Sequence, residues 1–155
     1  MVSKEEYKCP KVTVDIIIEV PKPKLSISYG VPHVVMINRK RSPLGVALPG
    51  GFVNYGETPW KAAIREAKEE TDLDIEIKEF FHVYGSPKRD ARVHAVSLVY
   101  LAKAEGTPKG GDDAKEAKIY ELDTAITLAT VFNHRRILGD FKTYHYLNKR
   151  PRWKE

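Results

Sequence analysis

Apolar and polar positions along the chain fall into blocks of two different periods. Val12 to Val20 (VTVDIIIEV) is rich in β-branched residues and predicts a strand, with Asp15 as its one interior charge. Pro21 and Pro23 close it; Leu25 to Ser28 reads as a short edge strand and Tyr29-Gly30 as a turn. His33 to Asn38 predicts another strand, followed by the basic turn Arg39-Lys40-Arg41. Val46 to Leu48 then leads into Pro49-Gly50-Gly51, where the backbone must turn tightly or approach something closely. Ile75 to Tyr84, Val93 to Ala104 and Ala117 to Leu122 read as further strands, with a loop over Gly106 to Asp113.

Two segments switch to the helical period. Thr58 is a good N-cap and Pro59 occupies the favoured first-turn place, so a helix is predicted through WKAAIREAKEE, with Trp60, Ala63, Ile64 and Ala67 on its apolar side. Phe132 to Leu147 predicts a C-terminal helix with Ile137, Leu138, Phe141 and Tyr144 on one side. Strands on both sides of a central helix, with a second helix at the end, imply an α/β (α+β) protein built on a mixed sheet. No repeat or linker interrupts the chain, so residues 1–155 are read as one domain, with 1–11 and 148–155 as flexible tails.

Composition narrows the function classes. At 155 residues, 42% apolar and 30% charged, the chain can build a core, and disorder is excluded as a default. No run approaches the roughly 18 to 20 apolar residues of a spanning helix, and the N-terminus lacks a signal-peptide core. A soluble, cytoplasmic protein without a membrane partner is expected. The lone Cys9 excludes an internal disulfide framework and a multi-cysteine zinc site. The net charge of +5 divides into +4 over residues 1–50, −2 over 51–105 and +3 over 106–155. An acidic centre between basic flanks suits a metal among carboxylates and an anionic ligand drawn toward it. No motif of interleaved aromatic and basic residues points to nucleic acid.

The acids of the central helix are patterned. Glu66, Glu69 and Glu70, spaced i, i+3 and i+4, share one helix face, where they repel one another unless a cation intervenes. Hard Mg²⁺, or Mn²⁺ in its place, suits such oxygen ligands. Arg65 stands four residues before Glu69, where it can orient that carboxylate. Glu57 lies just ahead of the helix, and the Gly50-Gly51 backbone can present a carbonyl oxygen. A solvated acidic face is the alternative reading of the cluster taken alone.

The order of these residues settles more than the cluster does. Gly51, five residues, Glu57, seven residues, then Arg65-Glu66-Ala67-Lys68-Glu69-Glu70-Thr71-Asp72-Leu73 resembles the Nudix box, G-x5-E-x7-R-E-U-x-E-E-x-G-U. Asp72 replaces the usual Gly where the helix ends in a left-handed conformation, a place that Asp tolerates better than most residues. The resemblance implies a Nudix fold, a mixed β-sheet sandwiched between helices with a loop-helix-loop catalytic motif. It also implies hydrolysis of a nucleoside diphosphate derivative with Mg²⁺ or Mn²⁺. Carried over by position, Gly50, Glu57, Glu66, Glu69 and Glu70 hold metal and Arg65 orients the carboxylates. Glu66 is the nominee for general base.

Residues outside the box point to a substrate. Ser86-Pro87-Lys88-Arg89-Asp90-Ala91-Arg92-Val93-His94 is similar to the S-x-P-x-R-D-P-R-x-H region of archaeal and bacterial ADP-ribose pyrophosphatases, with Ala91 and Val93 as departures. That similarity makes Pro87, Lys88, Arg89 and Arg92 candidates for substrate binding, with Arg39 of the earlier basic turn beside them. Gly111-Asp112-Asp113-Ala114 resembles the G-D-D-A loop of the same group, in which Asp112 and Asp113 would assist the metal or the water. Thr13-Val14-Asp15 and Phe132-Asn133-His134 look like the T-V-D strand and F-D-H helix start of ADP-ribose-type members. There Asn133 is a competent N-cap and His134 reads as structural. The resemblance therefore implies conversion of ADP-ribose, or a related ADP-sugar, to AMP and ribose 5-phosphate, in a group where homodimers are common. The alternatives are a pyrophosphohydrolase of (oxidised) nucleoside triphosphates such as 8-oxo-dGTP, whose box looks identical, and a non-catalytic ADP-ribose sensor, against which the complete set of acids speaks.

Overall fold

The computed structural model describes residues 8–21, 30–111 and 114–152. The expectations for Leu25 to Tyr29 and for Asp112 and Asp113 fall outside these residues. Among the described residues seven strands form one mixed sheet: β1 (Lys11–Val20), β2 (His33–Arg39), β3 (Val46–Ala47), β4 (Gly50–Phe52), β5 (Glu76–Tyr84), β6 (Ala95–Lys103) and β7 (Ala114–Glu121). The helices are α1 (Pro59–Thr71), α2 (Leu122–Leu128) and α3 (His134–Leu147). The main path of the sheet is β3-β2-β1-β6-β5, with β4 paired to β1 and β7 to β2. β1 runs parallel to β6 and antiparallel to β2 and β4.

Helices cover both faces of the sheet, which is why its inner strands read as nearly continuous apolar runs. The alternation of β1 sends Val14, Ile16 and Ile18 into the cluster under α1 with Ala62, Ala63 and Ala67. Ile17 points the other way, into the cluster of Leu122, Ala125, Ile137, Leu138 and Phe141 from α2 and α3. The expected α/β sandwich around a mixed sheet is what the chain forms.

Three details depart from the pattern read in the sequence. The buried side of α1 is its alanines, whereas Trp60 and Ile64 are 51% and 44% exposed. Small side chains let the helix lie close on the sheet, and the larger ones are turned off that face. Pro49-Gly50-Gly51 opens into β4 rather than into a turn, because Gly50 and Gly51 pair with Asp15 and Val14 of β1. The close approach is real: a Cβ on Gly50 would collide with the Val14 carbonyl. The third departure is α2. It begins at Leu122, where the sequence reading ended a strand, and its seven residues LDTAITL carry too many β-branched positions to announce a helix.

Helix ends follow the sequence in position but not in bonding. Thr58 and Asn133 occupy the N-cap places of α1 and α3, yet neither side chain makes a capping hydrogen bond. Asn133 instead accepts a bond from Arg89 Nε at 3.1 Å. Asp72 ends α1 at φ 57°, the left-handed conformation anticipated for that place. Beyond α3, Arg150 donates to the Phe81 carbonyl at 2.8 Å and ties this stretch to β5. Among the described residues no helix is long and apolar enough to cross a membrane.

Candidate active site

Arg65 is the hub of the acidic cluster. Its Nε and Nη2 grip both oxygens of Glu57 at 2.9 Å each, and Nη1 reaches Glu66 Oε1 at 2.7 Å and Glu69 Oε2 at 3.1 Å. Nη2 also donates to the Phe52 carbonyl at 3.0 Å, fixing the guanidinium to the end of β4. One cation thus holds three carboxylates from the loop and the helix in a single arrangement. Glu70 is 4% exposed and accepts from the Gly50 amide at 2.9 Å, which joins α1 to the first residue of β4.

The acids differ in their electrostatics. The two-pronged bond from Arg65, helped by the Asn54 amide, pulls the Glu57 carboxyl down to about 2. Burial pushes the Glu66 carboxyl up, against the lowering influence of Arg65, with Glu69 and Glu57 adding to the rise. Of these two, Glu66 is therefore the readier to accept a proton.

Glu66 and Glu70 face a cleft of about 330 Å³ whose other walls carry Arg39, Arg89, Arg92 and Phe132. Gly50 and Gly51 form its floor, and a Cβ on Gly51 would strike the Glu66 carboxylate. Gly51→Ala is accordingly expected to leave the melting temperature nearly unchanged, because a side-chain end can move aside. It should still lower kcat about a hundredfold by displacing that carboxylate. Thermal denaturation and steady-state kinetics check the two halves.

The residues picked from the sequence are thus partly brought together. Arg65 and Glu69 of α1, with Glu57 from the preceding loop, line a neighbouring hollow and are joined to Glu66 through the guanidinium. Arg39, Arg89 and Arg92 line the cleft, whereas Pro87 and Lys88 are exposed and absent from its walls. The loop before Asp112 packs against the end of α1: the Lys109 amide donates to Thr71 O at 2.9 Å, and a Cβ on Gly111 would collide with the Glu69 carbonyl. A larger hollow of about 880 Å³, between the end of α1 and residues 103–107, contains none of the sequence candidates.

Arg89 has a second task that its sequence context did not reveal. Its side chain is 4% exposed, and Nη2 donates to Asp15 Oδ2 at 2.9 Å. Ser97 Oγ donates to the same carboxylate oxygen, and His134 Nε2 stands 3.2 Å from Oδ1. The Leu48 amide donates to His134 Nδ1 at 2.9 Å, so the ring proton belongs on Nε2, facing Asp15. That approach is close but poorly aligned for a hydrogen bond. Burial alone would raise the Asp15 carboxyl, but the facing His134 imidazole, Arg89 and Ser97 outweigh it and hold it well below the usual carboxylate range. Since Asp15 pairs with Gly50 and His134 holds Leu48, this buried knot fixes the strand that forms the cleft floor. The one charge inside an apolar strand was its signal in the sequence.

The donor set can be tested for a divalent cation. Glu57, Glu66, Glu69 and Glu70 offer only oxygen, the hard donors that Mg²⁺ and Mn²⁺ take, and two of them face one cleft beside the Gly50 backbone. Among the described residues no ready-made cage of three such side chains stands converged. Arg65 and the Gly50 amide hold the carboxylates instead. The residues fit the ion in kind.

Fold and cleft together define a Nudix protein: the NUDIX domain model matches residues 11–141, and the chain belongs to this hydrolase family. It is 41% identical over 138 residues to an ADP-ribose pyrophosphatase of Methanocaldococcus jannaschii, covering 87% of this chain and 75% of that protein. It is 30% identical over 111 residues, 71% of each chain, to a putative 8-oxo-dGTP diphosphatase of Bacillus subtilis. Among solved structures, a bifunctional NMN adenylyltransferase/ADP ribose pyrophosphatase of Francisella tularensis, complexed with AMP and a Mn ion, superposes with a TM-score of 0.74. The identity is 27%, over 92% of this chain and 44% of that one.

Proposed function

We propose that the protein hydrolyses the pyrophosphate bond of ADP-ribose, or a related ADP-sugar, to AMP and ribose 5-phosphate, with Mg²⁺ as its metal. The observation that carries this reading is the cleft itself: Glu66 and Glu70 of the Nudix helix on one side, and guanidiniums of Arg39, Arg89 and Arg92 on the other. A diphosphate needs both, metal-binding carboxylates for its reacting oxygens and fixed cations for its remaining charge. The similarity to the M. jannaschii enzyme supports the choice of substrate.

In this reading Gly50 O, Glu57, Glu66, Glu69 and Glu70 hold the metal, and Arg65 keeps the carboxylates in register. Bound Mg²⁺ would neutralise diphosphate charge and acidify a water molecule. Glu66, raised by burial, takes the proton of the attacking water at a carboxylate oxygen. The water oxygen bonds to one phosphorus, and the bridging oxygen leaves with the other phosphate. Arg39 and Arg92 orient the substrate, and Arg89 acts from its pair with Asp15. The acids alone serve a triphosphate equally well, and the similarity to the B. subtilis protein favours that second reading, with a nucleoside monophosphate and pyrophosphate as products.

Metal removal tests the catalytic half. Chelator-treated protein should lose ADP-ribose turnover and regain it with Mg²⁺, and added Mg²⁺ should raise the melting temperature. Full turnover in excess chelator would refute the assignment.

A further inference from the structure

Phe132 stands in a conformation that its side chain disfavours. Its φ is 53°, in the left-handed region that a bulky residue rarely keeps, while glycine or asparagine would occupy it with less strain. Around the ring stand three guanidiniums, with the Cζ of Arg39, Arg92 and Arg89 at 5.3, 5.5 and 5.9 Å from its centre. These distances lie within the range in which an aromatic ring attracts a cation. Like charges so placed repel one another, so something must hold them together.

The local charge balance shows what the ring contributes. Arg89 is paired with Asp15 and Arg92 with Asp90, each by a direct ion pair. Arg39 donates through Nε to the Pro43 carbonyl at 2.9 Å, and among the described residues no carboxylate pairs with it. Three guanidiniums therefore face two carboxylates, and the excess positive charge stands on Arg39, on the wall of the cleft that also contains Glu66 and Glu70. Arg92 is tied to the same turn, donating through Nη1 to the Ser42 carbonyl at 2.7 Å. The ring itself is half-buried and packs on the core cluster beneath α1, which anchors it.

We propose that Phe132 is a positioning residue for substrate affinity: its ring is the platform that gathers Arg39 and Arg92 against the cleft and so shapes a subsite for the phosphate groups of the ligand. This inference rests on the reading of the cleft as a diphosphate site. The strained backbone places the ring among the three arginines at the start of α3, and the exposed part of the ring completes the wall. Since Phe132 touches no reacting group, its loss acts on binding and spares the chemical step.

The test compares the wild type with Phe132→Leu, Phe132→Tyr, Arg39→Met and the double variant Phe132→Leu/Arg39→Met. The readouts are calorimetric binding of inorganic pyrophosphate with Mg²⁺ and steady-state hydrolysis of ADP-ribose. Phe132→Leu should weaken pyrophosphate binding and raise KM about tenfold, with kcat reduced less than about threefold, the size expected for a lost cation–ring contact. Phe132→Tyr, which keeps the ring, should stay within about threefold of wild type. In the Arg39→Met background Phe132→Leu should cost little more, since the platform then has lost its principal load. Unchanged binding in Phe132→Leu, an equal loss in Phe132→Tyr, or full additivity in the double variant would each overturn the inference. If Phe132→Leu does not fold, the Tyr variant and Arg39→Met decide it: Arg39→Met binding pyrophosphate as wild type does would overturn it. A wild type that binds pyrophosphate with this dependence on Phe132 but ignores ADP-ribose would leave the inference standing and refute the proposed substrate. A wild type that binds no pyrophosphate would overturn the inference itself.

Discussion

Glu70→Gln is expected to lower kcat for ADP-ribose on the order of a thousandfold while the fold stays in place. The amide side chain is nearly isosteric and still offers an oxygen to the Gly50 amide, the bond that joins α1 to β4 at 2.9 Å. What disappears is one negative charge of the proposed metal set. Glu69→Gln should act in the same direction, with less effect on stability, because that side chain is 40% exposed and shares Arg65 with two other acids. Circular dichroism and thermal denaturation should show folded variants, and Mg²⁺ should no longer raise the melting temperature of Glu70→Gln. Near-normal turnover in both variants would remove the metal assignment.

The second large effect concerns stability. Asp15→Ala strands the buried guanidinium of Arg89, whose direct anionic partner is the Asp15 carboxylate at 2.9 Å. Breaking such a pair from one side costs about 3–5 kcal/mol. For a chain of this size that corresponds to a melting temperature lower by about 6–20 °C. The double variant Asp15→Ala/Arg89→Met should recover part of the loss, since no charge is then left unpaired.

The same pair sets an acid dependence. The Asp15 carboxyl is held below its unfolded value, so its contribution to stability is complete above about pH 4. It drains away as the pH falls through the lowered folded value. Wild type should lose stability over this acid range, and Asp15→Ala should show a flatter dependence there. Parallel melting curves for the two proteins from neutral to acid pH would contradict the role given to Asp15.

The parts of the molecule legible in the sequence are those fixed over short stretches of chain. The Gly51-to-Glu70 spacing, the Thr58-Pro59 helix start and the left-handed end at Asp72 are local matters, and each stands where the pattern placed it. Longer-range competition decided the rest. Asn133 is suited to cap α3, but Arg89, 44 positions away, takes its side-chain oxygen. Arg89 read as a substrate residue on a basic loop, yet its partner Asp15 lies 74 positions earlier on β1. The lone charge inside β1 marks Asp15 as needing a partner, but nothing in either segment says which residue supplies it. Trp60 and Ile64 are turned off the sheet because alanines permit the closer contact, a choice that periodicity cannot make. Phe132 read only as the first residue of the C-terminal helix, and nothing in its neighbours announced the three guanidiniums around it.

Product analysis by mass spectrometry tests the central claim most directly. The protein would be given, with Mg²⁺, a panel of ADP-ribose, NAD⁺, dinucleoside polyphosphates, dGTP and 8-oxo-dGTP. AMP and ribose 5-phosphate, formed fastest from ADP-ribose, are the products that a cleft of paired acids and arginines predicts. Release of pyrophosphate from 8-oxo-dGTP or dGTP, with ADP-ribose left intact, would contradict the substrate while leaving the Nudix acids in their proposed roles.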